Sequence, residues 1–274
     1  MTTYKQIDSH PEAVRFPLME LPVIGFVLAF VCGTLNAWTL MNAATFATVQ
    51  SGNVASSGIY LATGEWSKFL FAWGSVIAFG LGSFVCGYFM TTWLRKGRVY
   101  TVPVLWAEGL IIALMAVLWA TSVIPETKTG AQIVCFVVSF VAGAQGNSFH
   151  KNHGMLYGNV AVTFVVQAAF NFLVQSFINK KGINGEPNLK WSGIFFLVLL
   201  GFAGGGAIGA LTNVWLGWEH DATQDGVLVN GTPVAGTGWA LLLPAALTII
   251  LALIAGRQKH RNLDPDPTAG GLIP

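Results

Sequence analysis

The sequence predicts an all-α polytopic membrane protein: six transmembrane helices forming two inverted three-helix repeats, each with a re-entrant or broken half-helix. Three observations carry that reading. Hydrophobic residues make up 54% of the 274 and charged ones only 9%, which leaves too little polar surface to cover a soluble domain. Six apolar stretches are long enough, at 1.5 Å of rise per residue, to cross a hydrocarbon layer about 30 Å thick. A Gly-Asn-Val-Ala step occurs twice, at residues 52–55 and 158–161, each time after an apolar stretch has ended.

Residues 1–20 are polar and mix Asp8, Glu12 and Glu20 with Lys5 and Arg15. They lack the basic start and short apolar core of a signal peptide, so they are expected to remain as a cytoplasmic tail. The first membrane repeat is assigned to residues 21–123. Its opening span, 21–41, carries Pro22 in the first turn, where the missing N–H costs nothing. Residues 42–53 are too polar for a lipid-facing helix, yet have no charge to suit a solvated loop. Irregular backbone at membrane depth survives only inside protein or beside a water-filled cavity, so this stretch reads as re-entrant. Gly52 permits a sharp change of direction and Asn53 is a favoured N-cap, which starts a half-length helix over 54–63. Gly64, Glu65 and Trp66 mark an interface, span 69–94 is closed by Arg95, Lys96 and Arg98, and span 102–123 carries Glu108 near its start.

The second membrane repeat is assigned to residues 131–256. Span 132–148 runs into Asn147, Ser148, His150, Lys151, Asn152 and His153; the second step, at Gly158 and Asn159, then opens a helix over 160–178. A basic connector at 180–190, span 191–215, an acidic loop within 216–238 and span 239–255, with Pro244 as its kink, complete the repeat. Residues 257–274 hold Arg257, Lys259 and Arg261 before a Pro- and Gly-rich end, and are expected to be a disordered cytoplasmic tail. The excess of Lys and Arg near 95–98, 180–190 and 257–261 assigns those loops and both termini to the cytoplasmic side of a cell membrane.

Internal repetition supports the division. Phe30-Val31-Cys32-Gly33 precedes the first Gly-Asn step and Phe140-Val141-Ala142-Gly143 the second. Small residues at four-residue spacing follow each, at Gly74, Ala78 and Gly82 and at Gly201, Gly205 and Gly209. Such ladders are close-packing faces. One unit holds three spans, an odd number, so the second copy is expected to be inverted.

Several function classes fall away. A net charge of +2 without a basic, aromatic-interleaved patch gives no nucleic-acid surface. Cys32, Cys86 and Cys135 lie in apolar runs without CxxC spacing and read as small buried hydrophobes. His150 and His153 have no cysteine or acid completing a metal set, so no metal or other cofactor is expected.

A helix N-terminus presents unpaired N–H groups, and two of them meeting in a dry interior would hold an anion or acceptor oxygens. Gln50, Ser51, Gly52, Asn53, Gly158 and Asn159 are the candidate substrate-binding residues, with Asn36, Gln145 and Asn147 around them. The competing structural reading is that these groups only satisfy the freed backbone of a broken helix. Glu108 is the one acid within the predicted spans, and a buried ionised carboxylate needs a partner. It is the candidate for proton coupling, against a hydrogen-bonded neutral glutamate.

The order of a span, Ser51-Gly52-Asn53, a span after Trp66, Glu108 opening the third span and a second Gly158-Asn159 resembles the YoaK family of bacterial membrane proteins, over about residues 21–255. That family usually shows Thr-Gly-Asn at both steps; here Ser51 and Tyr157 take the threonine positions. The resemblance implies a six-span bacterial inner-membrane protein of unknown function and supplies no substrate or catalytic residue. The paired half-helices also look like the central site of sulfate and nucleobase transporters, an analogy of architecture alone.

The sequence therefore reads as a transporter or channel, embedded in the lipid bilayer, for a small anionic or polar solute. Two other classes compete: a membrane-embedded enzyme using Glu108 or His150, and a structural or accessory subunit. The glycine-lined faces also offer a homodimer surface.

Overall fold

The computed structural model describes residues 16–179, 181–182, 185–217, 238–258 and 262–265. The helices are α1 (Pro22–Ala43), α2 (Gln50–Ala62), α3 (Trp66–Leu94), α4 (Thr101–Ala120), α5 (Lys128–Ser148), α6 (Thr163–Ile178), α7 (Asn188–Gly217) and α8 (Leu242–Gly256). A two-residue hairpin, β1 (Lys151–Asn152) and β2 (Met155–Leu156), follows α5. Among the described residues six helices are long and apolar enough to cross a membrane. The chain is thus a multi-pass helical membrane protein; its last span is α8 together with the 3-10 turn before it (Gly238–Gly256), and α2 and α6 are the two helices outside the six. The acidic residues expected at 219–225 and most of both predicted tails lie outside the described residues.

Burial separates the spans into two kinds. In α1 and α5, 67% and 61% of the apolar stretch is buried, against 22% in α3 and 33% in α7. The central helices are therefore α1 and α5, and the apolar outer faces of α3 and α7, with Phe84 and Leu200 among them, are left to lipid. Between α1 and α4, Trp38 and Trp119 meet edge to face at 5.3 Å.

The most extensive helix pairings are α1 with α7 and α3 with α5, followed by α4 with α8 and α6 with α7. Glycine makes the first two possible. A side-chain carbon at Gly33 of α1 would collide with the carbonyl oxygen of Phe202, and one at Gly205 of α7 with that of Phe30. The second interface is built alike: Gly143 of α5 sits on the carbonyl of Phe79, and Gly82 of α3 on that of Phe140. Each helix contributes a Phe-x-x-Gly, and each glycine receives the partner's phenylalanine carbonyl. Without a hydrophobic drive between helices in lipid, such backbone approach supplies the dispersion contacts that hold them together.

The expected element order holds, with shifted boundaries. The first half-helix starts at Gln50, before Gly52 and Asn53, and the second starts at Thr163, beyond Asn159. Neither asparagine is an N-cap: the caps are Val49 and Val162, without side-chain capping bonds. Both asparagines are instead drawn toward backbone groups of the preceding irregular chain.

On one face of the molecule residues 18–20 meet residues 262–265. Leu18 and Met19 donate backbone hydrogen bonds to Asn262 and Leu263. Asp264 accepts from the backbone N–H of Tyr100 at 2.9 Å and of Thr101 at 3.3 Å, and from the Thr101 hydroxyl, capping α4 from a distant part of the chain. Burial pushes the Asp264 carboxyl up, and these hydrogen bonds oppose it. Residues 262–265 are thus docked, which corrects the expectation of a tail disordered from residue 257; a buried cap that satisfies α4 outweighs their Pro-rich composition. On the same face His153 donates its backbone N–H to the Glu20 carbonyl at 2.6 Å and faces Glu186 at 2.8 Å.

Replacing Gly82 by Ala is expected to destabilise the protein by about 1–3 kcal/mol through overpacking. Gly80, in the same helix but with open space around its Cα, is the control: Gly80→Ala should be neutral or stabilising, by up to about 1 kcal/mol. Melting temperatures in detergent read both. Burial raises the Glu186 carboxyl, but hydrogen bonds from Lys190 and His153 outweigh it and hold the group below its usual range. Its contribution is complete above the ordinary glutamate pKa of about 4.3 and is lost as pH falls through the lowered folded value. A Glu186→Gln variant should therefore show a flatter fall in melting temperature on acidification than the wild type.

Candidate functional site

The chain leaves α1 through Ala44 in the left-handed conformation, at φ 53°, and then runs back along the helix it has left. Thr48 lies beside Asn36, seven residues before the end of α1, a return of about 10 Å at 1.5 Å per residue. Side chains satisfy backbone groups of Phe46, Ala47 and Thr48 along that return. Asn36 donates to the Thr48 hydroxyl at 2.5 Å and accepts from the Thr48 N–H at 3.0 Å. Thr39 accepts from the Ala47 N–H at 3.2 Å, and Gln50 donates to the Ala47 carbonyl at 2.7 Å. Asn53 serves both backbone groups of Phe46, donating to its carbonyl at 2.7 Å and accepting from its N–H at 3.2 Å. Ser75 of α3 adds a bond to the same carbonyl at 2.8 Å and stands 2.8 Å from Ser139 of α5.

Asn36, Gln50 and Asn53 thus put their hydrogen bonds into the irregular backbone, as the structural reading of these residues expects. Ser51 is exposed and Gly52 half-buried against the Phe46 ring.

The second segment behaves differently. Gly158 turns so tightly that a side-chain carbon there would strike the Ala161 carbonyl. Asn159 donates to the Phe149 carbonyl at 3.1 Å, but its own oxygen has no partner among the described residues. Gln145 of α5 is fully buried and likewise keeps an unpartnered oxygen. The two segments touch where the Thr48 hydroxyl donates to the Val160 carbonyl at 2.7 Å.

Beside that junction lies a cleft of about 490 Å³ lined by Phe79 and Ser83 of α3, Gly146 and Asn147 of α5, His150, Tyr157, Gly158 and the start of α6. Asn147 donates to the Ser83 carbonyl at 3.2 Å, and His150 Nδ1 lies 3.0 Å from the Asn147 carbonyl. Of the sequence candidates, Asn147 and Gly158 line the cleft, while Gln145 and Asn159 are chain neighbours of its lining residues Gly146 and Gly158. Glu108, on α4, is away from the cleft; it is 1% exposed, with neither oxygen partnered among the described residues. Among those residues no group of three His, Cys, Asp or Glu is placed to hold a metal ion.

Residues 24–222 match the model of a family described as "Protein of unknown function (DUF1275)". The chain belongs to this family. The match begins in α1 and takes in both irregular segments and the residues that line the cleft. No curated protein and no solved structure matches the chain.

Sequence reasoning missed Thr48, Ser75, Ser139 and the inward role of Tyr157. Ser75 and Ser139 are single hydroxyls within apolar helices and give no periodic signal, Thr48 was one of several polar residues in an irregular stretch, and Tyr157 stood out only as a departure from threonine.

Asn53→Ala leaves the Phe46 N–H without its side-chain partner in a dry interior. It should lower stability by about 1–3 kcal/mol, with Ser75→Ala smaller because Asn53 still serves the same carbonyl. Thermal unfolding in detergent measures both.

Proposed function

We propose that this protein is a membrane transporter or channel for a small anionic or polar solute, held where the two irregular segments meet. The observation that carries the reading is the Thr48–Val160 hydrogen bond beside a 490 Å³ cleft whose wall contains Gly158 and Tyr157. Irregular backbone deep in a helical bundle is costly, and membrane proteins keep it where it builds a site or borders a cavity. The cleft also receives Phe164, in the first turn of α6, so the N–H groups of that turn are near enough to serve a solute's acceptor oxygens.

Under this reading α1–α4 and α5–α8 are inverted repeats, with α2 and α6 as their re-entrant half-helices. The helix pairings support it, because exchanging the two sets turns α1 with α7 into α5 with α3, turns α2 with α3 into α6 with α7, and returns α4 with α8 to itself. The reciprocal Phe-x-x-Gly contacts obey the same exchange. Alternating access would then be a rocking of one repeat on the other about these glycine faces. The bias of Lys and Arg favours a cytoplasmic position for the face where residues 18–20 meet residues 262–265. Uncharged amides and hydroxyls around the cleft favour binding and passage over chemical conversion.

Reconstituted in proteoliposomes, the wild type should take up one or more solutes from a panel of small anions and neutral metabolites. Tyr157→Phe, which keeps the ring, and Asn159→Leu should each reduce that uptake about tenfold, the scale of one lost hydrogen bond to a solute, at near-wild-type melting temperature for Tyr157→Phe. Uptake of every transported solute unchanged in both variants would overturn the reading, as would a wild type that moves nothing in the panel.

A further inference from the structure

At the end of α1 remote from residues 18–20 lies a second cavity, of about 230 Å³, which shares no lining residue with the cleft. Its wall is formed by Thr45 after α1, Tyr60 near the end of α2, Ser67 and Lys68 in the first turn of α3, and Lys128 and Gln132 of α5. Helix periodicity explains why these side chains meet. Lys128 and Gln132 are four residues apart and stand one above the other on α5, while Ser67 and Lys68 precede Phe71, which also lines the cavity, by four and three residues on α3. One turn deeper the rings of Phe71 and Phe136 stack at 6.0 Å and join α3 to α5. The cavity thus has a polar rim above an apolar base.

Its polar groups are chiefly donors. Two ammonium groups line it and, among the described residues, no carboxylate does. Lys68 sits over the Tyr60 ring, 5.6 Å from its centroid, and pairs with Glu65, which stands beside the cavity. Lys128 makes no ion pair among the described residues. The carbonyl of Ala43, another lining residue, already accepts from the Thr45 hydroxyl at 3.2 Å. Helix α3 begins here without a side-chain cap, so its first turn adds open N–H groups and the positive end of its dipole.

Gln132 is the decisive residue. It is 3% exposed, yet its amide makes no hydrogen bond among the described residues, and native interiors rarely leave such a group unpaired. The open space beside it is this cavity, and its amide nitrogen can donate twice.

We propose that this cavity binds a small oxyanion, held by Lys68, Lys128 and the Gln132 amide, with Ser67 and Tyr60 at its rim. A cation would meet two ammonium groups. A neutral solute would leave Lys128 uncompensated between apolar walls that focus its field. Because Glu65 offsets part of Lys68, the charge balance suits a monoanion or a dianion. The volume lies below the 300 Å³ or so at which pockets for drug-sized ligands begin, so the ligand is a group of carboxylate, sulfate or phosphate size. A free ion and the phosphate of a membrane lipid share this chemistry at the end of the spans. The inference does not depend on the transport reading. If both hold, the oxyanion is collected three residues before Thr48, whose hydroxyl bonds Val160 beside the cleft.

The test is the melting temperature of the detergent-purified full chain titrated with sodium phosphate, sulfate or acetate, against sodium chloride at equal ionic strength. At least one oxyanion should raise it by several degrees with a saturating dependence, because a ligand bound only to the folded state stabilises by mass action. Excluded salts stabilise any folded protein without saturating, and that slope should be common to all variants. Lys68→Met combined with Lys128→Met keeps both apolar stems and should abolish the saturable shift. Lys96→Met, beyond the far end of α3, removes a charge elsewhere and should retain it. Gln132→Leu should move half-saturation upward about tenfold; the exposed lysines carry the test if this buried variant fails to fold. Phosphatidylglycerol added to the micelles separates the two sources: a lysine-dependent shift with the lipid, and none with the free ions, assigns the site to a lipid headgroup. No saturable shift with any of the four probes, or a shift unchanged in the double lysine variant, overturns the proposal. A wild type that transports nothing yet shows the lysine-dependent shift keeps this site and loses the transport reading.

Discussion

The structure depends on backbone polar groups being satisfied where no water can reach them. After α1 the chain turns back about 10 Å alongside it without regular secondary structure, and every N–H or carbonyl left open there would cost a few kcal/mol. Side chains from three helices close these groups: Asn36 and Thr39 from α1, Gln50 and Asn53 from α2, and Ser75 from α3. The polar residues between the first two spans are thus the condition for an irregular segment to lie buried against α1 and α3. Because Thr48 also bonds the Val160 carbonyl, the same network sets where the second segment lies.

Close backbone packing is the second requirement. The irregular segments meet only if α1, α3, α5 and α7 approach closely enough to bring the two halves together, and four glycines facing four phenylalanine carbonyls allow it. The ladders Gly74 to Gly82 and Gly201 to Gly209 are therefore contact faces inside one chain, with Gly74 against the Phe136 ring and Gly209 against Thr34. A face used in this way is not free for a second copy.

The interior contrasts two ways of burying polar groups. Around residues 46–48 donors and acceptors match, and the outcome is a rigid connection. Elsewhere they do not: oxygens of Glu108, Gln145 and Asn159 are buried without a hydrogen-bond partner among the described residues. Native interiors rarely leave such groups orphaned, so the matched set reads as architecture and the unmatched set does not. The amides divide between these roles by what surrounds them, which residue type alone does not reveal.

Composition and apolar run length determined the membrane class and six spans, because crossing about 30 Å of hydrocarbon demands some twenty apolar residues whatever the tertiary context. The paired Phe-x-x-Gly and Gly-Asn steps also marked, from sequence alone, the two places where the bundle does something irregular. Only the tertiary structure decided that Asn53 holds the Phe46 backbone rather than capping a helix, and that residues 262–265 dock on α4. Helix formation in an apolar medium is a local matter of satisfying one's own backbone. A hydrogen bond between residues more than a hundred positions apart, such as Thr48 to Val160, exists only once separate helices have packed, and no local pattern encodes it.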